Sequence, residues 1–207
     1  PGDRPAVWRA ALTSPAMDRA VRALAARHRT STSTVLLSAT AALVGRSTGR
    51  GRCAVLPIVS NRFRRDTARI VGMVSQEGVF ALDGLDRPFG VLLPSVDAAA
   101  LRAYRSAFHD PVDRARGDWA QPLCCFNDQR LARPDPAPCP PEEIRAALPA
   151  STLSWPLSQD RLNCRFCVHV SGNLEISVTA DTAYLPRPEI ERFLFGLESL
   201  LVAEACA

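Results

Sequence analysis

With 207 residues, 47% hydrophobic and 22% charged, the chain has an ordinary globular composition and enough length to bury a substantial core in one domain. The net charge of +4 is mild, bases alternate with acids (Arg64-Arg65-Asp66, Asp113-Arg114-Ala115-Arg116-Gly117-Asp118), and aromatics are only 6%, so nucleic acid is not an expected partner. No apolar run reaches the roughly 18–20 residues of a bilayer span, and no charged-then-apolar leader opens the chain. All 25 basic residues are arginine, which reads as genome base composition, and a start at Pro1 reads as a processed or truncated piece. The seven cysteines, odd in number and without a leader, fit reduced thiols in a cytoplasmic protein.

Residues 1–13 read as an extended lead-in with Trp8 as a packing anchor. A helix follows, with Ser14 as N-cap, Pro15 in the first turn and Asp18 near the positive end. Met17, Val21, Leu24 and His28 form its buried stripe, which makes His28 a core or boundary residue before it is a catalyst. A second helix runs from the 31–34 cap region to Thr48, ends at Gly49, and is apolar nearly all round.

The stretch 53–82 then organises the middle of the chain. An apolar strand (53–59) ends in Ser60-Asn61-Arg62. A basic loop with Asp66 follows, and a second apolar run crosses Ser75-Gln76-Glu77. Polar residues at the end of one strand and inside another suggest a sheet that carries a site. After a turn-rich break at 83–88, helical spacing runs from Phe89 to Phe108, with Pro94 expected to kink it or mark a fresh start. His109 sits at the helix end, where a cation offsets the dipole.

Leu123-Cys124-Cys125-Phe126 reads as a short strand running out at Asn127-Asp128. The Pro-rich stretch 133–141 excludes helix and central strand and reads as a stiff loop, followed by a turn or two of helix at 142–148. Alternating runs at 162–170 and 174–180 flank Ser171-Gly172-Asn173 as a hairpin. The last helix carries Glu189 and Glu191 in its first turn and buries Ile190, Phe193, Leu194, Leu197, Leu200 and Leu201. Alternation puts Cys164 and Cys167, and likewise Cys124 and Cys125, on opposite faces, so neither pair is expected to share a metal ion. The order helix, helix, strand, strand, helix, strand, hairpin, helix predicts an α/β two-layer sandwich, a mixed sheet covered by helices.

The segments at 57–62 (PIVSNR) and 71–76 (VGMVSQ), then Phe126-Asn127-Asp128 and 180–186 (ADTAYLP), occur in an order that resembles the condensation domains of nonribosomal peptide synthetases. The likeness covers most of the chain, but only the half of that family that follows its HHxxxDG active-site motif. It includes the helix pair before the PxxxNR strand and the long helix ending in His109-Asp110-Pro111. No HHxxxDG occurs anywhere in the sequence, and the family's GxxxNT motif is replaced here by Gly72-Met73-Val74-Ser75-Gln76.

The resemblance implies one lobe, the C-terminal one, of a chloramphenicol acetyltransferase-like pair arranged as a V. In that family, carrier proteins deliver phosphopantetheine-tethered donor and acceptor to the cleft, and the acceptor attacks the donor thioester near the second histidine of HHxxxDG. It further implies no bound cofactor, acyl or peptidyl carrier proteins and the N-terminal lobe or parent synthetase as partners, and no activity alone. Channel or interlobe roles are then expected for Ser60, Asn61, Arg62, Ser75, Gln76, Asn127 and Asp128, although turn chemistry explains several of these as well. Two rival readings are a non-catalytic half-domain that docks a carrier protein or module, and a small stand-alone acyltransferase using His28 or His109.

Overall fold

A computed structural model describes residues 7–63, 65–110, 112, 124–130, 135–159, 165–172 and 174–207. Strand β1 (Val7–Thr13) leads into α1 (Pro15–His28) and α2 (Thr32–Ser47), then β2 (Arg52–Val59), β3 (Gln76–Glu77), β4 (Phe80–Asp83) and α3 (Phe89–Ser106). The second half runs β5 (Cys124–Asp128), α4 (Pro141–Ala146), a 3-10 turn (Leu148–Ala150), β6 (Thr152–Gln159), β7 (Phe166–Ser171), β8 (Glu175–Asp181) and α5 (Arg187–Ala205). Local chemistry sets the helix starts. The Ser14 hydroxyl accepts from Met17 N at the head of α1, and the Ser31 hydroxyl accepts from Thr34 N at the head of α2. At the opposite pole, the Arg27 guanidinium donates to the Glu204 and Ala205 carbonyls (3.1 and 2.8 Å), closing the C-terminal end of α5 with a positive charge.

Eight strands make one mixed sheet in the order β3-β2-β5-β7-β8-β1-β6, with β4 also on β2. The β2–β5 and β5–β7 pairs are parallel and the rest antiparallel. The helices share one core with one face of this sheet: Val55, Phe80, Cys124, Phe126, Val168, Ile176, Val178, Ala10 and Leu12 meet Met17, Leu24, Leu36, Leu37, Leu92 and Leu194. Fully burying each Val, Leu, Ile, Phe or Met side chain among these contributes about 1.5–3 kcal/mol. The two-layer α/β sandwich expected from the sequence is the fold observed. The other sheet face carries a separate small apolar cluster of Leu56, Cys125 and Cys167, to which no described helix contributes.

Four expectations change. The lead-in is a strand: β1 lies inside the sheet between β8 and β6, and only its Trp8 behaves as anticipated, packing edge-on to Trp155 (6.4 Å) with Arg187 over both rings. Strand β6 adds an edge the sequence did not announce, and its Pro156 falls where the β1–β6 register slips between Arg9 and Ala11, an irregularity of the kind that tolerates a strand proline. The second apolar run divides into β3 and β4, which pair with different parts of β2. At the break Gly78 donates to Pro57 O (2.9 Å) and lies so close to α3 that a Cβ there would sit 2.1 Å from Ala103 O. Helix α3 runs through Pro94 without a fresh start. Expectations involving Pro111, Leu123, Leu162, Cys164 and Asn173, and the first two residues of the 133–141 stretch, lie outside the described residues.

Candidate functional site

At the end of β2 the backbone turns through Asn61, whose φ of 55° is left-handed, a conformation asparagine tolerates better than most side chains. Its side-chain amide is buried and donates to Val74 O (3.1 Å), Ala107 O (3.1 Å) and Gln76 Oε1 (3.4 Å). Gln76 continues the knot like a strand neighbour: its Nε2 donates to His109 O (2.7 Å) while its Oε1 accepts from His109 N (3.1 Å). Thr67 closes the loop by donating its hydroxyl to Asn61 O. Arg62 does the same from outside, with its guanidinium on Ile70 O (2.7 Å) and Gly72 O (2.8 Å).

Sequence reasoning thus picked two residues, Asn61 and Gln76, that the fold brings together although 15 positions apart. Their amide nitrogens and the Gln76 oxygen are spent on backbone and on each other, and Asn61 Oδ1 is buried without a partner. They hold the 62–75 loop against the end of α3. What the knot presents to solvent is Ser60, Arg62 and Ser75, all exposed, and an apolar rim of Phe63 (68% exposed), Val71 (102%) and Met73 (94%).

Asp128 has a different surrounding. Its carboxylate accepts from Arg130 Nε (2.8 Å) and Nη2 (2.7 Å) and from the Ser33 hydroxyl, while Arg130 Nη2 also reaches Thr32 Oγ1 (3.3 Å). The pair is buried, with side chains 0% and 6% exposed, and pins the end of β5 to the first turn of α2, where a negative charge is favoured. Arg130 carried no signal in the sequence beyond one arginine in a loop. Asn127 points the other way, onto the sheet face away from the helices, as the alternation of Cys124 and Phe126 into the main core requires.

That second face holds what sequence reasoning missed. Leu56, Cys125, Cys167, Thr179 and Arg9 form one cross-strand row, and Asn127, His169, Ser177 and Ala11 form the next. Arg9 Nε donates to Ser177 Oγ (3.0 Å), Arg9 pairs with Glu175 (3.9 Å), and the Glu77 carboxylate lies 3.9 Å from Cys125 Sγ. The available signal was alternation: placing Phe166, Val168 and Val170 in the core puts Cys167 and His169 opposite. Among the described residues no cluster of three or more potential metal ligands occurs. Of the other histidines, His28 has its Nε2 buried without a partner and His109 is held through its backbone. Burial alone pushes the Cys53 thiol up to about 11, which keeps it protonated.

No family model and no curated protein sequence matches the chain. Solved structures do. The condensation domain that mediates chain release from the enacyloxin polyketide synthase aligns with a TM-score of 0.73 at 17% identity over 96% of this chain and 41% of its own. The fold is that of half a condensation domain. The first condensation domain of the CDA synthetase gives a TM-score of 0.68 at 18% identity, covering 98% of this chain and 46% of that one. An epimerization domain from the third module of tyrocidine synthetase B gives 0.61 at 11% identity, covering 96% and 47%. The chain therefore spans less than half the length of these neighbours, a single condensation-domain-like lobe whose described helices lie on one side of the sheet. Among the described residues no helix is long and apolar enough to cross a membrane.

Proposed function

We propose that this chain is the C-terminal lobe of a condensation domain and supplies one wall of the channel in which carrier-bound acyl groups are joined through amide or ester bonds. The observation that carries the reading is the half-length match, nearly all of this chain on under half of each condensation domain, in a sheet whose second face is left out of the main core. A two-layer sandwich whose second face carries polar side chains is suited to face a second lobe across a cleft. The order of the 57–62, 71–76 and 126–128 motifs supports the C-terminal assignment. On this reading the knot of Asn61 and Gln76 sets the position of the 62–75 loop, and Ser60, Arg62, Ser75 and Asn127 meet the partner lobe or the tethered substrates. The phosphopantetheine arm arrives on carrier proteins, so no cofactor resides here.

Mixing the chain with a lobe that bears HHxxxDG, together with acyl- and aminoacyl-loaded carrier proteins, is the test. Condensed product from the carrier-bound substrates well above that made by either lobe alone is expected. Absence of both product and complex formation between the lobes would sink the reading. The apolar rim of the 62–75 loop favours a second role, docking of a carrier protein or module without catalysis. That role requires saturable binding of a phosphopantetheinylated carrier protein to the chain alone, with no product from the two lobes.

A further inference from the structure

We propose that His169 is a proton acceptor for acyl transfer, so that this lobe brings an imidazole of its own to the reaction. The inference rests on the acyl-transfer reading above. Strand β7 is the middle strand of the seven-strand path, and His169 lies on its second face, half-buried. It is directly in register with Asn127 on β5 and Ser177 on β8, on strands about 4.8 Å to either side. An amide on one side and a buried hydroxyl on the other can orient an imidazole ring or a bound nucleophile. A central strand fixes the geometry better than a loop would.

The charges around it suit the task. Arg9 on β1 is bonded to Ser177 and paired with Glu175 on β8, so its cation is offset locally. Glu77 on β3 faces the same side near Cys125, and the thiols of Cys125 and Cys167 occupy the row below. With Arg9 answered by Glu175, its cation opposes an imidazolium less as it forms. The patch has no excess of cations, so it fits a neutral amide-bearing thioester better than a free anion.

In the step itself, an amine attacks the thioester carbonyl as His169 accepts the proton released by the nitrogen. Collapse of the tetrahedral adduct expels the thiolate, which takes that proton back from the imidazolium. The C–N bond forms, the C–S bond breaks, and the products are an amide and a thiol. No oxidant, metal or cofactor enters. Placing a base within reach of the nucleophile typically contributes 10²–10⁴-fold.

The test uses the full chain with butyryl-pantetheine thioester and glycinamide between pH 6 and 9, with the amide product quantified by mass spectrometry. Expected is a rate above that without protein, with a limb that rises with pH. His169→Gln lowers it about 100-fold or more and abolishes that limb, whereas His28→Gln leaves it unchanged. In the wild-type chain, adding the thioester shifts the His169 ring resonance, a readout that does not depend on the variant folding. A rate equal to the protein-free reaction, or one that His169→Gln does not change, overturns the proposal. If the thioester perturbs β5, β7 and β8 amides while the His169 ring stays silent, the proposal fails alone and the condensation-lobe reading survives. If no part of the chain responds and the two lobes yield no product, both fail.

Discussion

Converting the Asp128 carboxylate to its amide leaves the Arg130 guanidinium in place without its hydrogen-bonded counter-charge, with Asp18 acting on it only through space. Because both side chains are buried, at 6% and 0% exposure, the cost is that of removing one partner of a buried ion pair, about 3–5 kcal/mol, and a matching drop in urea unfolding free energy is expected for Asp128→Asn. Asn61→Ala strips donors from the half-buried Val74 carbonyl and the buried Ala107 carbonyl. At about 1–3 kcal/mol for each acceptor left unsatisfied, it should lower stability and speed amide exchange at His109. Asp18 runs the other way. Burial raises its carboxyl above the usual 3.8 despite the opposing pull of Arg22, Arg130 and Arg19. A carboxyl that is harder to ionise folded than unfolded costs nothing below that value, destabilises progressively as pH rises past it, and exerts its full cost above the folded value. Asp18→Asn is therefore expected to raise the melting temperature at pH 7 and leave it unchanged near pH 3.

Two glycines separate rigid from yielding neighbours at the level of whole elements. A Cβ on Gly78 would collide with the Ala103 carbonyl of α3 at 2.1 Å, whereas one on Gly90 would meet only the end of the Glu204 side chain at 2.0 Å. Gly78→Ala must push β3 off α3 and should cost several times more melting temperature than Gly90→Ala, where a carboxylate swings aside. Helices α1 and α2 were legible because their signals are local: Ser14 and Ser31 cap within three residues, and apolar spacing repeats every turn. Strands β1 and β6 were not, because Arg9 and Pro156 interrupt their patterns and their identity depends on partners more than a hundred residues away. For the same reason alternation could put His169 on the second face, but only the β5–β7 register could set Asn127 beside it. Asn61 and Gln76 stood out as polar residues in apolar surroundings, while their acceptors at Ala107 and His109 belong to another element and left no mark on that stretch.

For the molecule as a whole, Phe63, Val71 and Met73 stand together on one loop, with Phe108 beyond the end of the helix it packs against. An apolar rim of this kind, beside a sheet face outside the main core, predicts concentration-dependent self-association of the chain alone. Light scattering should show mass rising with concentration, and Val71→Ser with Met73→Ser should return it to a monomer. A further consequence belongs to β1. The first strand takes its place between β8 and β6, so Val7 pairs with Asp181 and with Gln159. During synthesis α1 and α2 can wind early, but β1 has no strand to pair with until β6 has been made, and it is enclosed on its other side only once β8 follows. Closure of the sheet around β1 is therefore a late event for this lobe, governed by the entropy of loops well over a hundred residues long, and until then the apolar side of that strand needs shelter from aggregation.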